Sequence, residues 1–190
     1  RLIHESMEEG IVMIIFVNGP PGSGKTTAVN YLYTTVSNSA VYKMSWPLMH
    51  ALPALLQIEP DAWHKIYQHY KNTAIFKDKS PRQLLIMLSD FLNVHFGNDT
   101  LGHIACLGLK RLIFKHAIID IGFTAEALPI TEQYQCVCLQ LERPGCSFEN
   151  DSREYLDCDK LGIPVKKISN RHDLDMFHEQ LAAYVKELGI

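Results

Sequence analysis

The sequence has no CxxC pair and no HExxH, and its nine histidines show no clustered ligand spacing. A zinc site of ordinary spacing is therefore not expected. The five cysteines, at 106, 136, 138, 146 and 158, are odd in number and argue for free thiols in a reducing cytosol rather than a disulfide framework. No long apolar run is present. The stretch Ile11–Val17 has seven residues, where a membrane helix needs roughly 20. It passes straight into a Gly-rich turn with no small-residue cleavage site, so it reads as a buried strand rather than a signal peptide. Excess positive charge is also missing. A net charge of −3 gives no support to bulk binding of nucleic acid, and any anionic ligand must be held by locally placed Lys and Arg. No repeat, low-complexity tract or linker interrupts the chain. The leading RLIHESMEEG has no periodicity and is assigned no element.

What is present is the balance of a soluble globular protein: 190 residues, 47% hydrophobic and 21% charged, read as one domain. A chain of this size buries roughly 70% of its unfolded surface, enough for an ordinary core. Near-continuous apolar runs at 11–17, 40–44, 116–122, 135–141 and 162–169 are five candidate strands. Runs of this kind alternating with helical stretches indicate a parallel sheet covered on both faces. The spacing of CVC puts Cys136 and Cys138 on one face of its strand. Val29, Leu32 and Val36 mark one face of a helix after Lys25. A capping box is expected at Ser80, with Pro81 at the first helical position, Gln83 at the third, and Leu84, Leu88, Phe91 and Leu92 on the buried side. The last helix should run from about Asp173, with Leu174, Phe177, Leu181, Val185 and Leu188 as its stripe.

Between the first strand and the first helix stands GPPGSGKT, Gly19–Thr26, which matches G-x-x-x-x-G-K-[ST] at every fixed position. Gly19, Gly22 and Gly24 let the backbone come close to a ligand. The amides of Ser23 through Thr27 can then converge on phosphate oxygens at the positive end of a helix. Lys25 can reach the β- and γ-phosphates, and the Thr26 hydroxyl can ligate magnesium. AIIDIG offers Asp120 at the end of a buried strand as the acid on the metal side. The fold expected is a P-loop NTPase, α/β, with a five-stranded parallel sheet, and ATP with Mg2+ is the expected cofactor pair.

Three classes of P-loop protein remain to be separated. A GTPase needs an N/T-K-x-D base-reading motif, which the chain lacks. Assembly ATPases of the AAA type usually need a longer chain with sensor elements. A small phosphotransferase is left, and it must neutralise charge on the transferred group, usually with arginines. ERPGCSFENDSREYLD, 142–157, leaves the fourth strand with Arg143, runs through Pro, Gly, Ser and Asn, and returns to a helix-like stretch with Arg153. That composition suits a mobile lid over about 143–153 with an arginine at each root. The bland alternative is two surface arginines, with Arg153 paired to Glu149 or Asp157.

YKMSWPLMHAL, KDKSPRQLLIMLSDFLNVHFGNDTLGHIA, AIIDIGFTAEA and KKISNRHDLDMFHEQL occur in this order. In spacing and content they resemble the bacteriophage-type deoxynucleoside monophosphate kinases over about residues 12–185. The resemblance implies a nucleoside monophosphate kinase-like fold and transfer of a phosphoryl group from ATP to a deoxynucleoside monophosphate in the cytoplasm. It implies that the region 45–100 forms the acceptor side, with Arg82 facing the acceptor phosphate. Lys43, Trp46 and Lys71 are further candidates there, Trp46 for stacking on a base, and Asn170 falls in a loop on the donor side. The partners implied are a nucleoside triphosphate and a nucleoside monophosphate, with no nucleic-acid polymer and no membrane; a homodimer is left open. A monophosphate acceptor needs no general base, because it is largely ionised at neutral pH. A kinase for a hydroxyl acceptor, with Asp120 as base, and an ATP-binding module without transfer stay open as alternatives. Two positions depart from the family. Gly122 stands where D-x-R-F-x-x-E has its arginine, and Met49 stands near a family lysine. An arginine placed at 122 is expected to restore part of the lost grip on the acceptor.

Overall fold

The computed structural model describes residues 11–171 and 173–190, and the leading RLIHESMEEG lies outside them. Five strands form one parallel sheet: β1 (Met13–Asn18), β2 (Ser39–Lys43), β3 (His116–Asp120), β4 (Cys136–Glu142) and β5 (Val165–Ser169), in the order β2-β3-β1-β4-β5. The helices are α1 (Lys25–Thr35), α2 (Trp46–Leu55), α3 (Pro60–Tyr70), α4 (Pro81–Phe96), α5 (Thr100–Leu109), α6 (Thr124–Thr131), α7 (Cys158–Leu161) and α8 (Leu174–Leu188).

Side chains of a strand alternate between faces, and the central strand shows what that does here. Ile14 and Phe16 enter one core with Leu48, Leu84, Leu101 and Ile130, while Ile15 and Val17 enter the other with Val29, Leu32, Phe177 and Leu181. All four β1 side chains are fully buried, each contributing about 1.5–3 kcal/mol relative to exposure. Helices α1 and α8 therefore cover one face, and α2 to α7 the other. Cys136 and Cys138 share a face, as their spacing requires.

β5 begins later than the apolar run. Gly162 closes α7 in the left-handed conformation (φ 65), and Pro164 has no amide to give a ladder. The Pro164 carbonyl instead accepts from the Cys138 amide at 2.9 Å. The capping box at Ser80 is formed in both directions: Ser80 Oγ accepts from the Gln83 amide and Gln83 Oε1 from the Ser80 amide. The buried stripe of α4 nevertheless runs through Pro81, Leu84 and Leu85; Leu88 and Leu92 are half-buried and Phe91 is exposed. Only the start of α4 lies deep against the core, so a periodic pattern over 16 residues overstates its burial. In α8, Leu174 is exposed and Tyr184 joins Phe177, Leu181 and Val185 in the buried stripe.

Because every strand is parallel, their C-terminal ends open on one edge, where ligands of such sheets bind. Lys43 lies opposite Asp120 across β2 and β3, and Asp120 lies opposite Val17 at the end of β1. These chemistry-bearing residues are thus brought together by register alone.

Candidate active site

Gly19–Thr26 leaves the end of β1 and opens α1. Gly22 and Gly24 have φ of 79 and 103, values that L side chains rarely adopt. At Gly24 a Cβ would also stand 2.7 Å from Asn170 Nδ2. No side chain caps α1 and no acid sits in its first turn, so the amides there are left for an anion. Ser23 is fully buried, and its hydroxyl has no protein partner. Lys25 Nζ folds back to donate to the carbonyls of Gly19 (2.7 Å) and Pro20 (2.9 Å). Burial lowers its pKa, with Arg153 acting the same way and Asp120 opposing. Asn170 Nδ2 donates to the Ser23 carbonyl at 3.0 Å, which ties the loop to the end of β5. Thr27 is half-buried in the first turn of α1.

Thr26 and Asp120 line one cavity of about 670 Å³ between α1 and β2. A hydroxyl and a half-buried carboxylate are hard oxygen donors and fit Mg2+. The Asp120 pKa is raised, because burial outweighs the opposing pull of Lys25, Arg153 and Lys43. A second cavity of about 550 Å³ shares Lys43 and Asp120 with the first and takes in Pro21 of the loop, Lys71, Arg82 and Arg153. The structure thus brings Lys43, Lys71 and Arg82 onto one cavity and sets Trp46 on the other, edge-on to Tyr42. The Arg82 amide donates to the Lys71 carbonyl at 3.1 Å, so its side chain rather than its backbone is available to a ligand. Met49 packs against the core.

Residues 153–157 are not helical, contrary to the sequence pattern; only Cys158–Leu161 is. The backbone there is irregular, and several of its hydrogen bonds go to distant partners. Asn18, fully buried, donates to the Ile121 and Glu154 carbonyls and accepts from the Leu156 amide. Gln140 donates to the Leu156 carbonyl, and the Asp157 amide donates to Thr124. Arg143 and Arg153 also part company. Arg143 Nη1 donates to the Gly22 carbonyl at 3.2 Å, on the donor side. Arg153 pairs with Asp151, neither Glu149 nor Asp157: Nε to Oδ1 at 2.8 Å and Nη2 to Oδ2 at 2.6 Å. That fork holds the Asp151 carboxyl down at about 2, with Arg82 adding to the effect.

The same arginine settles what Gly122 is for. A Cβ at 122 would stand 2.5 Å from Arg153 Cδ and 2.7 Å from Cγ. The glycine leaves the space that the Arg153 stem fills, so Gly122→Arg requires that stem to shift. Gly122→Arg is expected to destabilise the protein by about 1–3 kcal/mol, the usual cost of overpacking. Urea denaturation checks this, and an unchanged midpoint would contradict it.

Glu126, in the first turn of α6, is a site residue that the sequence does not single out, although it stands within AIIDIGFTAEA. Its position beside Ala127 and Ile130 on a buried helix face was the available signal. It is 5% exposed, lines the second cavity, and has no hydrogen-bond or ion-pair partner among the described residues. Burial alone pushes its carboxyl up to about 7 from 4.5. A raised carboxyl binds more protons folded than unfolded between those values, so stability should fall as pH rises from about 4.5 to 7 and then level off. The loss is about 3 kcal/mol at most. Denaturation midpoints of the protein and of Glu126→Gln across that window check this, and equal slopes would contradict it.

No protein-family model matches the chain, and no curated protein is significantly similar to it. Solved structures are similar in fold. TT1252 from Thermus thermophilus is 16% identical over 94% of this chain and 98% of its own, with a TM-score of 0.51. Thymidylate kinase from Candida albicans is 14% identical over 94% of this chain and 93% of its own, with a TM-score of 0.47. Dephospho-CoA kinase from Campylobacter jejuni is 14% identical over 93% of this chain and 98% of its own, with a TM-score of 0.45. At such identities the likeness to TT1252 is one of fold, an α/β architecture that in this chain is built on a five-stranded parallel sheet. Among the described residues, no helix is long and apolar enough to cross a membrane.

Proposed function

We propose that the protein transfers a phosphoryl group from ATP to a nucleoside monophosphate. The observation that carries this is a cavity whose cations, Lys43, Lys71, Arg82 and Arg153, face the edge where Pro21 of the phosphate loop and Asp120 also lie. One anion of the acceptor can be held there beside the donor's terminal phosphate, which makes the reaction one of positioning and charge stabilisation. Gly24, Lys25 and Thr26 hold the triphosphate, with Gly19, Gly22, Ser23 and Thr27 shaping the loop and Asn170 steadying it. Thr26 and Asp120 would hold Mg2+, which neutralises charge on the β- and γ-phosphates when bound. Arg143 lies over the loop and Arg153 between donor and acceptor. The phage-type deoxynucleoside monophosphate kinases supply the closest reading of the acceptor, a deoxynucleotide.

The alternatives differ in the base that the acceptor needs. A hydroxyl acceptor needs a base beside it, and Asp151, held near 2 by Arg153, is too weak a base at neutral pH. Asp120, raised by burial, is the carboxylate suited to that second reading. The test is ADP release from ATP in the presence of each deoxy- and ribonucleoside monophosphate, a set of sugar alcohols, and water alone. Stimulation by a monophosphate above the water rate supports the proposal. Stimulation by an alcohol only would replace it with the second reading, and binding of ATP without any stimulation would leave a nucleotide-binding module.

A further inference from the structure

The second cavity is lined by cations and by carboxylates. Its cations gather at the phosphate edge, where Arg82 and Arg153 both act on Asp151. Glu126 lines the same cavity, is 5% exposed, and has no hydrogen-bond or ion-pair partner among the described residues. Apolar side chains, among them Leu48, Leu85, Leu101 and Phe123, make up much of the wall. A carboxyl buried without a partner is costly, and one that lines a cavity is relieved by a ligand that donates hydrogen bonds to it. The volume of about 550 Å³ is within the range of about 300–1,000 Å³ that holds small molecules.

We propose that Glu126 reads the base of the acceptor, and that the base it selects is guanine. This rests on the monophosphate reading above and names the substrate of that site. At pH above the value of about 7 to which burial raises it, Glu126 is an ionised carboxylate and offers only acceptors, on two oxygens side by side. Its complement is an edge with two adjacent N–H donors. Among the common bases only guanine has one, in its N1–H and its N2 amino group. Thymine and uracil present a single N–H flanked by two carbonyls, which would face the carboxylate oxygens. Adenine and cytosine place an acceptor nitrogen beside their amino group. A guanine monophosphate therefore matches both kinds of group that line the cavity, an anion for the arginines and a donor pair for Glu126. Two hydrogen bonds to a charged, desolvated group are among the stronger kind, and a site with such a group rejects ligands that leave it unpaired.

The experiment is direct binding of GMP, dGMP, AMP, dTMP and CMP to the full chain by titration calorimetry without ATP at about pH 8, where the Glu126 carboxyl is mostly ionised. GMP or dGMP should bind at least about 10-fold more tightly than the others, and Glu126→Gln should weaken them on the order of 100-fold. The amide offers one donor and one acceptor, so AMP should change little or improve, a reordering that a purely structural role would not produce. Glu126→Asp keeps the carboxylate and should retain the guanine preference at reduced affinity, which covers the case of a poorly folded Gln variant. No preference for guanine in the wild type, or the same ranking in Glu126→Gln, overturns the inference. If guanine monophosphates bind through Glu126 but release no ADP, the assignment stands and the kinase reading falls. Should another monophosphate be the one that releases ADP, the kinase reading stands and the assignment falls.

Discussion

Lys25→Ala is expected to lower turnover by at least about 10³-fold, at the upper end of what one charge-stabilising donor contributes, while the protein stays folded. The ammonium is half-buried, and burial already depresses its pKa. Its two bonds are to carbonyls of its own loop. Removing it therefore relieves a desolvation cost as well as losing two contacts, so the net effect on the unfolding midpoint should be small. Charge on the transferred group has no equivalent relief. Lys25 is the cation on the loop itself, and Arg143, which reaches only the Gly22 carbonyl, is too exposed to replace it. Single-turnover rates with saturating ATP, set beside a thermal melt, separate the two effects. Near-native turnover in the variant would show that Gly19–Thr26 is not where the reacting phosphate is held.

What could be read from the chain alone follows from the range of the interactions involved. The period-two alternation of Ile14 to Val17 is local, and so is the Ser80 to Gln83 box; both stand in the structure as the residues imply. The meeting of Lys43 with Asp120 also follows once the sheet is parallel. The irregular course of 153–157 was not legible, because its hydrogen bonds involve Asn18, Gln140 and Thr124, each far away in sequence. Gly122 illustrates the same limit. Read along the chain it is a missing arginine; in space it is the gap beneath the stem of Arg153, 31 positions later. Glu126 and Phe91 fail in opposite senses, a carboxyl that is buried and a phenyl that is exposed. Periodicity describes which residues share a helix face, and only the packing of α6 on α5, or the reach of α4 beyond its neighbours, decides what that face meets.

Arg153→Ala should lower kcat on the order of 10³-fold, the scale of an arginine that stabilises charge on a transferred phosphoryl group. Its stem lies over Gly122, its charge is felt by both Lys25 and Asp120, and its head already grips an anion with both prongs. That anion is Asp151, a carboxylate set among the very cations expected to meet phosphate. Arg153→Lys should recover little, since an ammonium lacks the planar fork. Arg143→Ala, by contrast, should cost less, because its single hydrogen bond is exposed. The role of Asp151 then decides how Arg153 works. If the carboxylate holds the fork in the place that the acceptor phosphate must take, Asp151→Asn frees the arginine and lowers the acceptor KM at unchanged kcat. Should Asp151→Asn lower kcat as Arg153→Ala does, the carboxylate would instead be what positions the arginine for transfer. A KM loss alone in Arg153→Ala would leave the arginine as a ground-state contact, with no part in stabilising the transition state.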